Sequence, residues 1–524
     1  MKSLRIATLW LLILATPVGA APPADLEQRV EALRRQIGAP GISIAIVEDG
    51  KTTLARGWGV RKLGDSARVD EQTIFQTGST GKAMTAAALA ILVDEGKIAW
   101  DDPVIEHMPW FRMYDPWVTR EITIRDLLVH RSGLGLGQGD LMFVPRTNLS
   151  RKETVRRVAY LRPRTSFRSA YAYDNVLYAV AGQLIEEVTG QSWEAFMRDR
   201  VLRPGGMRNA TSDSESRFRT PNRSFPHARL SGPLRGLGAQ QVLNERDELG
   251  RNGAPAGGLA LSANDMAAWL RIQLARGNVP GGKRLFSEAQ AAEMWKPVVT
   301  MPITQLPPEL APAQPEYQAY ALGWQVQDYR GHRIIAHSGG VFGSITRVVI
   351  VPDRNIAFAI MMNSEDSGLL LGLYYMLLDH YLGVPDYGWP AKWQNWFEAR
   401  LEGGRALLAQ AQAAPAKIGP SLDPSRYAGR YRDPWYGDIV VGSTPAGLTI
   451  DFTSTPRMTG RLKHWQYDSF VTEFEDRALE PAYVTFSLDA QGAVTGVTMK
   501  AANPIADFSW DYHDLELVPV KEEK

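Results

Sequence analysis

Thr77-Gly78-Ser79-Thr80-Gly81-Lys82-Ala83-Met84-Thr85 runs into an apolar stretch that stops at Glu95-Gly96. The segment Lys82–Glu95 reads as a helix. Ser79-x-x-Lys82 at its mouth is the sole Ser-x-x-Lys of the 524 residues. Residues three apart on a helix share a face, so the Ser79 hydroxyl and the Lys82 amine can meet. A serine hydroxyl is a weak nucleophile until a base takes its proton. A lysine serves as that base only if its pKa falls. Burial and the positive end of a helix both push it down. Free N–H groups at a helix start can also stabilise an oxyanion. Taken alone, so short a pattern more often marks an N-cap serine beside a solvated lysine.

Two further motifs shift that balance. Tyr171-Ala172-Tyr173-Asp174-Asn175 stands at the start of an expected helix, Asn175–Thr189, which Gly190 stops. His337-Ser338-Gly339-Gly340 is expected in a turn between strands His332–Ala336 and Ile345–Val351. Three such motifs in this order are far rarer than any one of them.

Outward from these motifs the chain reads as two regions. The first spans residues 23–386. A helix (Ala24–Ile37) precedes two β-branched, alternating segments, Ile42–Glu48 and Thr52–Val60, joined by Glu48-Asp49-Gly50-Lys51 as a hairpin. Helices follow at Ile124–Val129, Lys152–Tyr160 and Trp193–Val201, then a loop-rich stretch, Arg217–Gly258, then a helix at Ala263–Arg276. Strands return at Tyr320–Tyr329, His332–Ala336, Ile345–Val351 and Ile356–Met362, and a helix at Leu369–Leu382 closes the region. The fold class is therefore α/β in the α+β sense: a sheet with an inserted helical lobe. Residues 387–420 read as a linker with an Ala/Gln-rich, partly helical stretch, Ala406–Ala416. Residues 421–524 carry short alternating segments, among them Tyr436–Val441, Tyr483–Leu488 and Phe508–Tyr512, which point to a small antiparallel barrel or sandwich.

Composition narrows the function classes. Lys+Arg is 58 against 57 Asp+Glu, a net charge of +1 that gives no electrostatic reason to bind nucleic acid or an anionic membrane. With no cysteine, disulfides, thiolate metal sites and a cysteine nucleophile are excluded. The eight histidines lack metal-site spacing, phosphate loops are missing, and no cofactor is expected. Residues 1–20 carry Lys2 and Arg5, an apolar run Ile6–Ala15, and small residues up to Ala20. That order predicts a secretory signal peptide and a periplasmic or secreted product with no integral membrane segment after cleavage.

The combined motifs resemble the serine β-lactamase-related hydrolases: class C β-lactamases, DD-peptidases, D-aminopeptidases and the esterases that share Ser-x-x-Lys. The matching pieces include Gln76–Lys82, Leu127–Leu134, Tyr173-Asp174-Asn175, Pro255–Leu259, Ala321-Leu322-Gly323-Trp324 and His337–Gly340. The likeness spans roughly Leu26–Leu382. It implies a β-lactamase/transpeptidase-like antiparallel sheet with a helical lobe. The tail from Leu422 is similar to the lipocalin-like barrel often appended to this family. The resemblance implies Ser79 as nucleophile, Lys82 as its activator and Tyr173 as general acid/base. It implies Asn175, His337 and Ser338 as substrate-binding positions, and the amides of Ser79 and Gly340 as an oxyanion hole. Which of Lys82 and Tyr173 acts first stays open at this level.

One departure bears on substrate. Class C β-lactamases carry Lys-Thr-Gly where this chain has His337-Ser338-Gly339. A histidine is mostly neutral at pH 7, so weaker carboxylate capture and steeper pH dependence are expected. The expected activity is acyl-enzyme cleavage of a peptide, D-amino-acid amide or ester, with β-lactam hydrolysis or DD-carboxypeptidase action as the alternative. Two rivals come from other classes. One is a non-catalytic sensor or cell-wall binding module on the same fold. The other is an α/β-hydrolase elbow with Ser338 as nucleophile, which needs a helix directly after it. The tail can shape access to the cleft or mediate homo-oligomerisation.

Overall fold

The computed structural model describes residues 21–246, 249–412 and 418–521. The expected signal peptide, residues 1–20, lies outside them.

The first region is built on an eight-stranded antiparallel sheet. Its spatial order is Lys51–Gly59, Gly41–Glu48, Ile356–Met362, Ser344–Val351, His332–Val341, Gln325–Tyr329, Gln318–Tyr320 and Val299–Thr300. The central strands are buried on both faces, and their two residue sets differ in size. Ile42, Ile44 and Ile46 pack with Phe358, Ile360 and Met362 beneath the outer helices Leu26–Ile37 and Ser367–Leu382. Ala45, Val47, Ala357 and Ala359 point to the opposite face, where small side chains let the helix Ala263–Leu274 lie close. Period-two alternation thus sorts bulky and small residues between two helical layers. Beyond the inner layer sits the helical lobe, whose middle is the helix Val176–Thr189. Gly190, at φ +69°, ends that helix as expected and donates its N–H to the Glu186 carbonyl.

Several local expectations change. His337-Ser338-Gly339-Gly340 is not in a turn: the strand runs unbroken from His332 to Val341 and pairs with Ser344–Val351. The stretch Tyr320–Tyr329 is two strands, because Gly323 (φ +75°) turns the chain between them. Much of the stretch read as linker is a 24-residue helix, Trp389–Gln412. Its start is anchored by apolar contact, with the Trp393 ring stacked on Tyr375 at 5.5 Å and Trp389 buried beside them.

The tail forms one antiparallel eight-stranded sheet, from Gly429–Asp433 to Val518–Pro519, and the bridge between Val497 and Leu517 draws its ends together into a nearly closed barrel. Tyr427, Tyr431, Phe470 and Phe486 fill its interior. Phe508–Tyr512 is not a strand. It belongs to an irregular segment that leaves the barrel and enters the cleft of the first region. Among the described residues no helix is long and apolar enough to cross a membrane.

Candidate active site

Ser79 sits on a single 3₁₀ turn, Gly78–Gly81, and Lys82 opens the helix Lys82–Asp94 directly after it. Residues three apart eclipse in 3₁₀ geometry, so the two side chains lie one above the other. The Lys82 Nζ is 3.0 Å from the Ser79 Oγ. The Ala-rich helix behind it is buried on nearly every side and drives Lys82 into the core.

The amine has two other partners. It donates to Asn175 Oδ1 at 2.7 Å and to the Ala256 carbonyl at 2.8 Å. The rings of Tyr173 and Tyr178 each lie 4.9 Å away. Complete burial pulls the Lys82 pKa down to about 7, and the carboxylates of Asp140 and Asp174 oppose that fall only in part. In the neutral amine both N–H groups are committed to Asn175 and Ala256, which leaves the lone pair facing Ser79. That is the arrangement a general base requires. Tyr173 stands just before the Val176–Thr189 helix with its hydroxyl hydrogen-bonded to Ser79, and burial holds the phenol well above its ordinary range.

The strand His332–Val341 passes the nucleophile turn backbone to backbone. A Cβ on Gly339 would lie 2.1 Å from the Thr77 carbonyl, and one on Gly78 (φ +52°) 2.7 Å from the Gly340 nitrogen. Neither position tolerates a side chain, and the glycines bring the backbone of Gly340 against the Ser79 turn. Ser79, Tyr173, Asn175, His337, Ser338 and Gly340 all line one cleft of about 1170 Å³. All of the site residues expected from the sequence except Lys82 are therefore on its wall, and Lys82 is buried directly behind Ser79.

His337 is in an unexpected state. Its Nε2 meets the Tyr320 hydroxyl at 2.7 Å and its Nδ1 meets the Ser338 carbonyl at 2.5 Å. The Ser338 carbonyl can only accept, so Nδ1 carries a hydrogen, and in the neutral ring Nε2 then accepts from the Tyr320 hydroxyl. Burial and the nearby Lys82 push its pKa well down. His337 thus presents no charge to the cleft, and the pH dependence expected of it has no group to carry it there. Ser338 is on an extended strand with no helix after it, which removes the geometry an elbow nucleophile needs. His130, at φ +61°, is buried with its Nδ1 accepting from the Asp174 N–H at 3.1 Å and its ring 4.2 Å from that of Tyr173. It supports the tyrosine loop, as a histidine bonded to nearby backbone. Among the described residues no group of three or more His, Asp or Glu is placed to hold a metal.

The motifs gave no hint of Asp140, Phe508, Ser509 and Asp511. Asp140 Oδ2 accepts from Asn175 Nδ2 at 2.8 Å and from Ser509 Oγ at 2.7 Å. Ser509 belongs to the tail, 369 residues further along the chain. Phe508 lies edge-on to Tyr173 at 5.9 Å.

The family model described as Beta-lactamase matches residues 26–373. The chain belongs to the Beta-lactamase family. A model described as Domain of unknown function (DUF3471) matches residues 413–519. "Unguisins hydrolase ungD'" of Aspergillus campestris is 30% identical over 422 residues, covering 77% of this chain and 74% of the relative. Penicillin-binding protein 4 of Amycolatopsis lactamdurans is 29% identical over 374 residues, covering 69% and 91%. The octameric penicillin-binding protein homologue from Pyrococcus abyssi superimposes with a TM-score of 0.56 at 20% identity, covering 91% of this chain and 98% of that one. That structure speaks for the fold. As a member of the Beta-lactamase family with such relatives, the chain is a serine hydrolase.

Proposed function

We propose that this Beta-lactamase family member is an exported acyl-enzyme hydrolase that cleaves amide or ester bonds of small peptides, D-amino-acid derivatives or esters. One observation carries the reading: a fully buried Lys82 amine with two committed hydrogens, its third position turned to Ser79 at 3.0 Å.

The steps follow from that geometry. Lys82 Nζ takes the hydroxyl proton as Ser79 Oγ bonds to the carbonyl carbon. The carbonyl electron pair moves onto oxygen, where the Ser79 and Gly340 amides receive it. On collapse the bond to the leaving group breaks, and the proton passes from Lys82 through the Tyr173 hydroxyl to the departing nitrogen or oxygen. Water then repeats the sequence on the acyl-enzyme and frees Ser79. Lys82 rather than Tyr173 acts first, because burial favours its neutral form while it keeps the phenol protonated.

Burial keeps His337 neutral, which argues against strong capture of a substrate carboxylate at that position, and so against β-lactams as preferred substrates. A panel of D-Ala peptides, p-nitrophenyl esters and a chromogenic cephalosporin, with intact-mass analysis after a fluorophosphonate, tests the whole reading. The expected result is one adduct, lost in Ser79→Ala, and turnover of peptides or esters well above the cephalosporin. No adduct favours a binding module, and fastest turnover of the cephalosporin overturns the substrate assignment. Export rests on the composition of residues 1–20, and fractionation of cells expressing the full chain tests it. Self-association through the barrel is a further part of the reading, checked by light scattering.

A further inference from the structure

The barrel reaches the catalytic residues through three contacts that form one chain of support. Asp511 accepts from the N–H groups of Gly139 at 2.7 Å and Leu141 at 3.0 Å, so its carboxylate suspends the loop that carries Asp140. Ser509 donates to Asp140 Oδ2 at 2.7 Å. Phe508 covers Gly137, where a Cβ would come within 2.6 Å of its ring. Gly137 in turn donates its N–H to the Tyr173 carbonyl at 2.8 Å.

Asp140 then decides how Asn175 faces. Above about pH 7 Asp140 is a carboxylate that can only accept, and a lysine amine here must donate. The carboxamide that joins them therefore has one orientation that satisfies both: nitrogen to Asp140, oxygen to Lys82. A reversed amide would set N–H against the Lys82 hydrogens and swing the lone pair off Ser79. We propose that Asp140 is a positioning residue for proton transfer at Ser79, acting through the Asn175 carboxamide, and that Ser509 and Asp511 make the C-terminal barrel a working part of the active site. This rests on the assignment of Ser79 and Lys82 given above.

Lys82 faces Asp140 and Asp174, and its own charge is felt by His130 and His337. Asp140 faces Lys82, Asp507, Asp511 and the Tyr173 phenol. Its carboxyl is raised to about 7 by burial, and the Ser509 hydrogen bond opposes the rise. Neutralising Asp140 removes a negative neighbour that favours the Lys82 ammonium, so Lys82 gives up its proton at lower pH.

The test uses the full chain with p-nitrophenyl butyrate as substrate and a fluorophosphonate as acylation probe. In Asp140→Asn, kcat and the acylation rate fall by about ten-fold or more, KM stays within about two-fold, and the acid limb of kcat/KM moves down by about one pH unit. Ser509→Ala, a single hydroxyl at a half-buried position, repeats the pattern in smaller measure with an unchanged melting temperature, which keeps the test valid if Asp140→Asn fails to fold. A folded Asp140→Asn with wild-type kcat and an unmoved acid limb overturns the inference. So does a rise in KM alone, which places Asp140 in substrate contact. Retained turnover in Ser79→Ala instead overturns the underlying assignment, so the two failures are distinct.

Discussion

Replacing Lys82 with Met tests the central physical claim, that burial alone turns a lysine into a base at neutral pH. The ordinary lysine pKa of 10.5 falls to about 7 at this position. At pH 7 an ordinary lysine is neutral in about one molecule in 3000, whereas here about half the molecules hold a free lone pair. Without the amine, kcat should fall by roughly 10²–10⁴, the usual worth of a positioned base. Stability supplies a second reading independent of substrate. Between pH 7 and 10.5 the unfolded chain carries a proton on Lys82 that the folded chain lacks, so the amine's contribution to stability grows as pH rises. A pKa fall of that size is worth about 5 kcal/mol. The Lys82→Met change also leaves Asn175 Oδ1 and the Ala256 carbonyl without their donor, about 1–3 kcal/mol for each. That loss is constant with pH, so it drops out when slopes are compared. The assay is denaturant unfolding of both proteins from about pH 7 to about pH 10.5, plotted as a difference. Wild type should gain on Lys82→Met by up to about 5 kcal/mol across the window. Parallel curves, or near-normal ester turnover in the variant, refute the reasoning.

Other perturbations address the surrounding frame. Ser338→Ala should keep both the fluorophosphonate adduct on Ser79 and folding, because Ser338 is an exposed side chain in mid-strand; loss of the adduct would return the elbow to consideration. Gly137→Ala places a Cβ 2.6 Å from the Phe508 ring at φ +68°. It should cost at least about 1–2 kcal/mol of stability from backbone strain alone and lower kcat together with stability; an unchanged melting curve would show that the tail yields freely.

Much of the site was legible because its chemistry is local. Ser79 and Lys82 are three residues apart, and any helical turn brings such a pair together whatever surrounds it. Tyr173 and Asn175 are equally close in sequence and stand at a helix start that Gly190 balances at the far end. The sheet was legible from alternation, since burial on both faces demands Ile and Phe on one and Ala on the other. Where the reading failed, the local signal was real but overruled. Phe508–Tyr512 has the composition of a strand, yet its aromatic rings are used against Tyr173 and Phe342 in the cleft. His337–Gly340 has the glycines of a turn, yet they serve close passage of one backbone past another.

The pairing of serine and lysine, the order of strands and helices, and the presence of a second all-β region followed from the amino-acid sequence by itself, because periodicity and short spacing act over a few residues. Tertiary structure alone decided the state of each group. It took Lys82 out of water and fixed its lone pair, tied both nitrogens of His337, and hung the Asp140 loop from the barrel. Those outcomes depend on solvent exclusion and on bonds between residues hundreds of positions apart, and no pattern along the chain encodes either.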